Sequence, residues 1–172
     1  TVMGCISLLS LSTLEKQNDI FNSISSADTS IFKARLAQAD YLLLQQTKFK
    51  EIFDSELDKA SAKLQLTKSF MKIEENKKKI DRIISIKEHY RKTFRELVGT
   101  LDSENQLSKD GMNQIVGVAD ELSQALEILL AAEHEVAVKV RNSVSVYIVI
   151  ALIIGVLLSV ILGYWLTKRI IQ

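Results

Sequence analysis

The sequence predicts an all-α protein, an up-down-up-down four-helix bundle continuing into transmembrane helices. Three observations carry this expectation. The 172 residues contain no Pro, so the commonest helix breaker is missing. Apolar residues recur at three-, four- and seven-residue steps through most of the chain, the period of one helix face. From Asn142 to Thr167 there is no charged side chain. At 1.5 Å rise per residue, Val144 to Leu166 reaches about 34 Å as a helix, enough for a hydrocarbon core of about 30 Å.

Taken in order, residues 1–14 carry no charge and are too few to span a bilayer alone. They read as the outer end of a truncated first transmembrane helix, with an amphipathic or buried N-terminal helix as the alternative. Residues 15–142 read as the bundle, in four helices over about 12–46, 48–73, 77–103 and 107–142. The first stripe includes Ile20, Ile24, Ile31, Ala34, Leu42 and Phe49, with an irregularity at Gln45–Lys48. The second runs from Ile52 and Phe53 through Leu57, Ala60 and Leu64 to Phe70 and Ile73. The polar run Glu74-Glu75-Asn76-Lys77-Lys78-Lys79 is expected to be a turn. Ile80, Ile83, Tyr90, Phe94 and Leu97 mark the third helix, and a weaker break follows within Thr100–Gly111. Ile115, Val118, Leu122, Leu126 and Leu129 mark the fourth, which runs without Pro into the second membrane helix at 143–166.

The membrane helix has its own features. Tyr147 lies near one end and Trp165 near the other, where aromatic rings favour the headgroup level. Lys168 and Arg169 follow as interface anchors, while Lys139 and Arg141 flank the opposite end, so charge orients the helix only weakly. Gly155, Ser159 and Gly163 form a four-residue row of small side chains that would let a neighbouring helix pack closely.

Composition narrows the function. All but two of the 22 basic residues, and all 21 acidic ones, lie between Glu15 and Arg141, a balance that argues against a nucleic-acid partner. The single Cys, Cys5, rules out an internal disulfide. His89 and His134 lack a second His at helical spacing, so no metal is expected. No nucleophile–base set or phosphate loop is present, so no enzyme activity and no cofactor are expected. Polar side chains on the apolar stripes are the candidates for chemistry. Arg35 lies four residues after Ile31 on a core-facing stripe, with Asp28 and Gln38 nearby on that face. Such a guanidinium needs an acidic partner or an anionic ligand. On the third helix Lys87, Tyr90, Arg91 and Phe94 hold comparable positions. Arg35, Gln38, Tyr90 and Phe94 form the candidate ligand-binding set. A salt-bridged Arg35 and plain core aromatics are the structural alternative.

Ala34-Arg35-Leu36-Ala37-Gln38-Ala39-Asp40-Tyr41, the segment Asn76–Leu97, and Leu166-Thr167-Lys168-Arg169-Ile170-Ile171 resemble, respectively, the first helix, the third helix and the HAMP-linker opening (residues 167–172) of bacterial methyl-accepting chemotaxis proteins. Tyr41 stands where Phe is more usual, and one bundle fits here where helical-bimodular members have two. The resemblance implies a homodimer in the bacterial inner membrane with a periplasmic bundle. It also implies a small-molecule ligand, organic acids among the possibilities, bound with help from Arg35. Output would pass through a HAMP domain to a cytoplasmic kinase and adaptor. The sensor of a two-component histidine kinase has the same outline, and a ligand-free structural bundle is the third reading.

Overall fold

In a computed structural model of the protein the described residues are 2–104 and 108–170, with side chains described at 12, 15–103 and 108–159. They form four helices, α1 (Val2–Leu44), α2 (Thr47–Phe70), α3 (Glu74–Glu104) and α4 (Lys109–Ile170), and no strand among them. The expected all-α class and helix count hold. Two compact units are distinguished, one from Asn18 to His134 and one pairing residues 1–17 with 135–172.

The unit from Asn18 to His134 is the four-helix bundle. Its contacts give the direction of each helix. Lys68 pairs with Asp81 at 2.5 Å, Lys87 donates to Ser61 Oγ at 3.2 Å, and Arg95 pairs with Asp54 at 3.0 Å, so α2 and α3 run antiparallel. Asn76 donates to Glu133 at 2.6 Å and Arg82 meets Glu121 at 3.4 Å, which makes α3 and α4 antiparallel. Arg35 reaches Asp120 and Ser123 at 2.9 and 2.8 Å across the α1–α4 seam. Lys50, in the first turn of α2, lies over the Tyr41 ring at the end of α1, 4.7 Å from its centroid. The helices therefore close a ring in chain order, with α1 diagonal to α3. The core they share is apolar and layered: Ile24, Ile31, Phe53, Leu57, Leu64, Ile80, Ile83, Ile115, Leu122, Leu126 and Leu129 are all at most 1% exposed.

The connections correct one expectation. Glu74–Lys79 is not a turn but the opening of α3, and the α2–α3 turn is Met71-Lys72-Ile73. The physical reason lies in the order of the charges. Glu74 and Glu75 occupy the first turn, where the helix dipole favours negative charge. Lys77 and Lys79 then pair with them at 2.6 and 3.3 Å, one turn along. The turn itself needs no Gly or Pro, because the Met71 N–H caps α2 by bonding the Thr67 and Lys68 carbonyls. The weaker break within Thr100–Gly111 is found, with α3 ending at Glu104 and α4 beginning at Lys109; residues 105–107 lie outside the described ones. Gly111 sits so close to α3 that a Cβ there would come within 2.7 Å of Leu97 Cδ1.

At the α1–α2 turn, Gln45 has φ of 53°, the left-handed region, and its N–H bonds the Tyr41 carbonyl at 2.8 Å. The irregularity expected at Gln45–Lys48 is this cap followed by the extended Gln46. A Cβ in that conformation costs about 1–2 kcal/mol, and Gly avoids it.

In the other unit, α4 contains the one stretch among the described residues long and apolar enough to cross a membrane. Its apolar side chains face outward, with Val146, Leu152 and Val156 each more than half exposed. Tyr147 is 59% exposed, as suits an interfacial anchor. Ser159 Oγ donates to the Gly155 carbonyl at 2.8 Å, so its polar group is satisfied within the helix. Gly163, Trp165, Lys168 and Arg169 fall outside the residues whose side chains are described, as do Cys5 and the other side chains of 1–11.

Gln45→Gly is expected to raise the stability of the bundle by about 1 kcal/mol. The check is thermal unfolding followed by circular dichroism in detergent; an unchanged or lower midpoint would mean that the cap is not strained.

Candidate functional site

Three of the four predicted ligand residues come together in the bundle interior. Tyr90 on α3 donates its hydroxyl to Gln38 Oε1 on α1 in a buried hydrogen bond across the bundle diagonal. Helical spacing brings this about. Gln38 follows Ile31 and Ala34 by seven and four residues on the inward stripe of α1, and Tyr90 follows Ile83 by seven on that of α3. Phe94, one turn beyond Tyr90, packs on Phe53 with centroids 4.2 Å apart and edge-on to Tyr41 at 5.7 Å. Phe53 also meets Tyr90 edge-on at 5.2 Å. Each such pair adds about 0.5–1.5 kcal/mol beyond area burial. Burial pushes the Tyr90 hydroxyl well above the ordinary phenol range, while the Arg35 charge pulls it the other way. It is therefore a neutral donor at any physiological pH.

Arg35 lies beside this cluster rather than in it. Its side chain is 36% exposed in the α1–α4 seam, held by Asp120 and Ser123. The salt-bridged alternative describes its position, and the guanidinium keeps a solvent-facing side. Asp28, on the same helix, does not pair with Arg35. Its carboxyl is raised above the usual range by burial and by the Glu127 carboxylate facing it across the same seam.

Two polar groups lie outside the predicted ligand set, although Lys87 and Arg91 of the second were read from the sequence as inward positions of the third helix. At the α1–α2 turn, Tyr41 donates to Asp102 Oδ1 at 2.9 Å and Lys50 pairs with Asp102 Oδ2 at 2.9 Å, tying α1, α2 and α3 together. The Lys50 hydrogen bond, then that from Tyr41, holds the Asp102 carboxyl below the ordinary range. Tyr41 could have been found: it lies seven residues after Ala34 on the inward stripe, and a buried Tyr requires a partner. The second group surrounds Lys87, which is 1% exposed. Its ammonium binds Ser61 and the Glu88 carboxylate, whose pKa it lowers. Arg91 continues this network to Asp54 and Asp58. Arg91 Nε and Asp54 Oδ1, both shielded from solvent, face each other at 3.2 Å without an aligned N–H bond.

Two grooves lined by described residues lie on the outside. One runs between Lys79, Arg82, Glu121, Gln124, Ala125 and Ile128, the other along α3 at Glu88, Arg91, Lys92, Arg95 and Glu96. Neither includes the four predicted ligand residues. Among the described residues no three His, Cys, Asp or Glu side chains converge as a metal site would require.

The bundle has known counterparts. Its fold is similar to a "periplasmic sensor domain of sensor histidine kinase", with a TM-score of 0.67 at 12% identity over 78% of this chain and 94% of that one. A chain of the "XylFII-LytSN complex" aligns with a TM-score of 0.50 at 14% identity, over 73% of this chain and 98% of that one. No family model matches the sequence, and no curated protein does. At these identities the likeness is one of fold alone.

Tyr90→Phe leaves the buried Gln38 oxygen without its donor, so a loss of about 1–3 kcal/mol is expected, with Tyr90→Phe/Gln38→Leu recovering part of it. Denaturant unfolding of the three variants measures this, and additive losses would deny the coupling. Asp102 has its folded pKa lowered, so its contribution is present above the unfolded carboxylate pKa and is lost as pH falls through the lowered value. Lys50→Gln should therefore lower the melting temperature by more at pH 7 than at pH 2. Equal losses at both pH values would assign Lys50 a packing role.

Proposed function

We propose that the chain is the sensor region of a membrane signalling protein. The bundle would receive a stimulus outside the membrane, and α4 would carry it to a cytoplasmic histidine kinase. One observation carries this reading: a four-helix bundle with a sensor-domain fold shares its last helix, Lys109–Ile170, with a segment long and apolar enough to cross a bilayer. Kinase output is preferred to chemoreceptor output because the neighbour of higher TM-score is by its printed title a histidine-kinase sensor. The sequence resemblance to methyl-accepting chemotaxis proteins keeps a chemoreceptor as the second reading. The HAMP-like opening at Thr167–Ile171 suits both.

The stimulus on this reading is a small anionic molecule, an organic acid in the simplest case. Arg35 offers the solvent-facing guanidinium, and Ser123 beside it is a second hydrogen-bonding group. A carboxylate that replaced Asp120 on Arg35 would change the tie between α1 and α4. A protein that delivers the ligand would reach the same seam, and the second neighbour does come from a two-protein complex. A binding event need favour one seam arrangement by only about 1–3 kcal/mol to be read as a signal.

The test joins residues 1–172 to the cytoplasmic half of a histidine kinase in membrane vesicles and screens carboxylates for altered autophosphorylation. A responsive compound should lose its effect in Arg35→Ala. A Gly-Gly insertion after Val140 should fix the output at one level while binding persists. Continued response in the insertion variant would rule out transmission along α4, and no response to any compound, alone or with a periplasmic extract, would leave a structural bundle as the better reading.

A further inference from the structure

The bundle has two ends, and its internal contacts tell them apart. Tyr41 and Asp102 meet at one end, beside the α1–α2 turn. Asn76 and Glu133 meet at 2.6 Å at the other, where α3 begins and the bundle ends at His134. The α2–α3 turn, Met71-Lys72-Ile73, lies at this second end, just ahead of Asn76. Ten residues separate Glu133 from Val144, where the apolar run begins. At 1.5 Å rise per residue that step is about 16 Å of helix, and a headgroup layer fills about 5–8 Å of it. The chain itself therefore keeps the α2–α3 turn close to a bilayer surface.

The composition of the turn suits such a neighbour better than it suits water. Solvated turns favour Gly, Asn, Asp, Ser and Pro. Here Leu66, Phe70 and Ile73 follow one another at four- and three-residue steps and are 51%, 54% and 41% exposed. The turn is firmly held in this form. Met71 is buried, its N–H caps α2, and the Ile73 carbonyl accepts from the Asn76 and Lys77 N–H groups at 3.1 and 3.2 Å. Lysines surround the apolar tip. From Lys68 to Lys79 there are five lysines and two acids, Glu74 and Glu75. Lys68, Lys77 and Lys79 are paired, but Lys72 and Lys78 are exposed and make no ion pair among the described residues. The stretches 15–19 and 134–141, which lead toward the membrane, are balanced: Lys16, Lys139 and Arg141 against Glu15, Asp19 and Glu135. The basic excess at this end thus belongs to the turn. An apolar tip among lysines matches an anionic lipid surface, where rings and alkyl groups enter the interfacial layer and ammonium groups meet phosphates. The α1–α2 turn also exposes Leu43 and Leu44, but Asp102 beside it lies 26 residues along α3 from Asn76, about 39 Å, beyond any bilayer.

We infer that the α2–α3 turn rests on the bilayer, with Phe70 and Ile73 in the interfacial layer and Lys72 and Lys78 on the phosphates of anionic lipids. The inference rests on the membrane-anchored reading above and adds a peripheral contact to the membrane-crossing one. Asn76 joins this hairpin to Glu133 of α4. A hairpin held at the surface gives α4 a fixed reference to move against, and lipid charge becomes an input to the same helix.

The experiment uses the whole chain in lipid vesicles and reads depth as quenching of indole fluorescence by lipids brominated close to the headgroup. Native Trp165 reports the anchor. In a Trp165→Phe background, Phe70→Trp reports the α2–α3 turn and Leu44→Trp the opposite end. In mixed phosphatidylcholine and phosphatidylglycerol, Phe70→Trp should be quenched and Leu44→Trp should not. Phosphatidylcholine alone, high salt, or Lys72→Gln/Lys78→Gln should each lower the quenching about two- to fivefold. Circular dichroism should show the same helicity in every variant, since all four positions are exposed. Quenching of Trp165 without quenching of Phe70→Trp, the latter indole open to aqueous acrylamide, would overturn the contact and leave the anchor standing. An indole hidden from acrylamide and bromolipid alike would overturn it too, and would assign the turn to a protein partner. Equal quenching with and without phosphatidylglycerol would remove the lysines as phosphate ligands and sink the anionic-lipid contact. Unquenched Trp165 would remove the anchored reading and the contact with it. A quenched Phe70→Trp in a chain whose kinase fusion ignores every compound would uphold the contact and remove the sensor reading.

Discussion

The interior of the bundle depends on one buried polar contact, the Tyr90 hydroxyl on Gln38. A hydroxyl and an amide inside an apolar core cost several kilocalories if either is left unpaired, roughly 2–7 kcal/mol from water to hydrocarbon. Apolar side chains tolerate sliding, because one Leu can fill the space of another. This pair does not: moving α1 against α3 by one turn, about 5.4 Å, would strand both groups. The contact therefore sets the register of the diagonal helices, and the Tyr41–Phe94–Phe53 ring contacts fall into place around it. Asp102 repeats the device at the α1–α2 turn, where one carboxylate accepts from Tyr41 and Lys50 and so fixes three helix ends at once.

The fold was legible in the sequence because burial leaves a periodic trace. Every helix presents a stripe at three- and four-residue steps, and the residues read from those stripes, such as Ile31, Leu57, Ile83 and Leu126, are at the centre of the core. The one misplaced turn shows where periodicity stops helping. Glu74–Lys79 lacks apolar residues because it is the opening of a helix, stabilised by its own charge order and with buried Asn76 hydrogen-bonded to Glu133, and polarity alone does not separate that from a loop. The true turn at Met71-Lys72-Ile73 looked helical because Phe70 and Ile73 continue the apolar spacing, although both are exposed.

The candidate site was legible in part, for a different reason. That Gln38, Tyr90 and Phe94 meet follows from each occupying an inward position on its own helix, and inward positions in a narrow bundle have few places to go. Arg35 was harder, because a long side chain on the edge of a stripe can turn inward or outward. Asp120 and Ser123 decide the matter, and nothing in the spacing of a single helix identifies residues on another.

The polar contacts divide the bundle into a more firmly and a less firmly tied part. α2 and α3 approach most closely along their backbones and are stitched by Lys87 to Ser61 and by Arg91 and Arg95 to Asp54, with Lys87 and Arg91 largely withdrawn from solvent. The α1–α4 seam is tied instead by a half-exposed arginine and an exposed aspartate, a kind of pair worth about 0–1 kcal/mol. Asp28 and Glu127, in the same seam, repel. The charge–charge contribution to that seam is thus small, and beside the Arg35–Ser123 hydrogen bond it is apolar packing that holds it, by Ile24, Ile31, Leu122 and Leu126. Apolar layers slide at lower cost than hydrogen-bonded ones, because no partner is left unsatisfied along the way. A shift between α4 and α1 meets less polar resistance than one between α2 and α3, while the buried Asn76–Glu133 contact holds α4 to α3; α4 is the helix that carries the apolar segment. The half-exposed guanidinium lies in this seam, so an anion bound to Arg35 would act on the contact between α1 and α4.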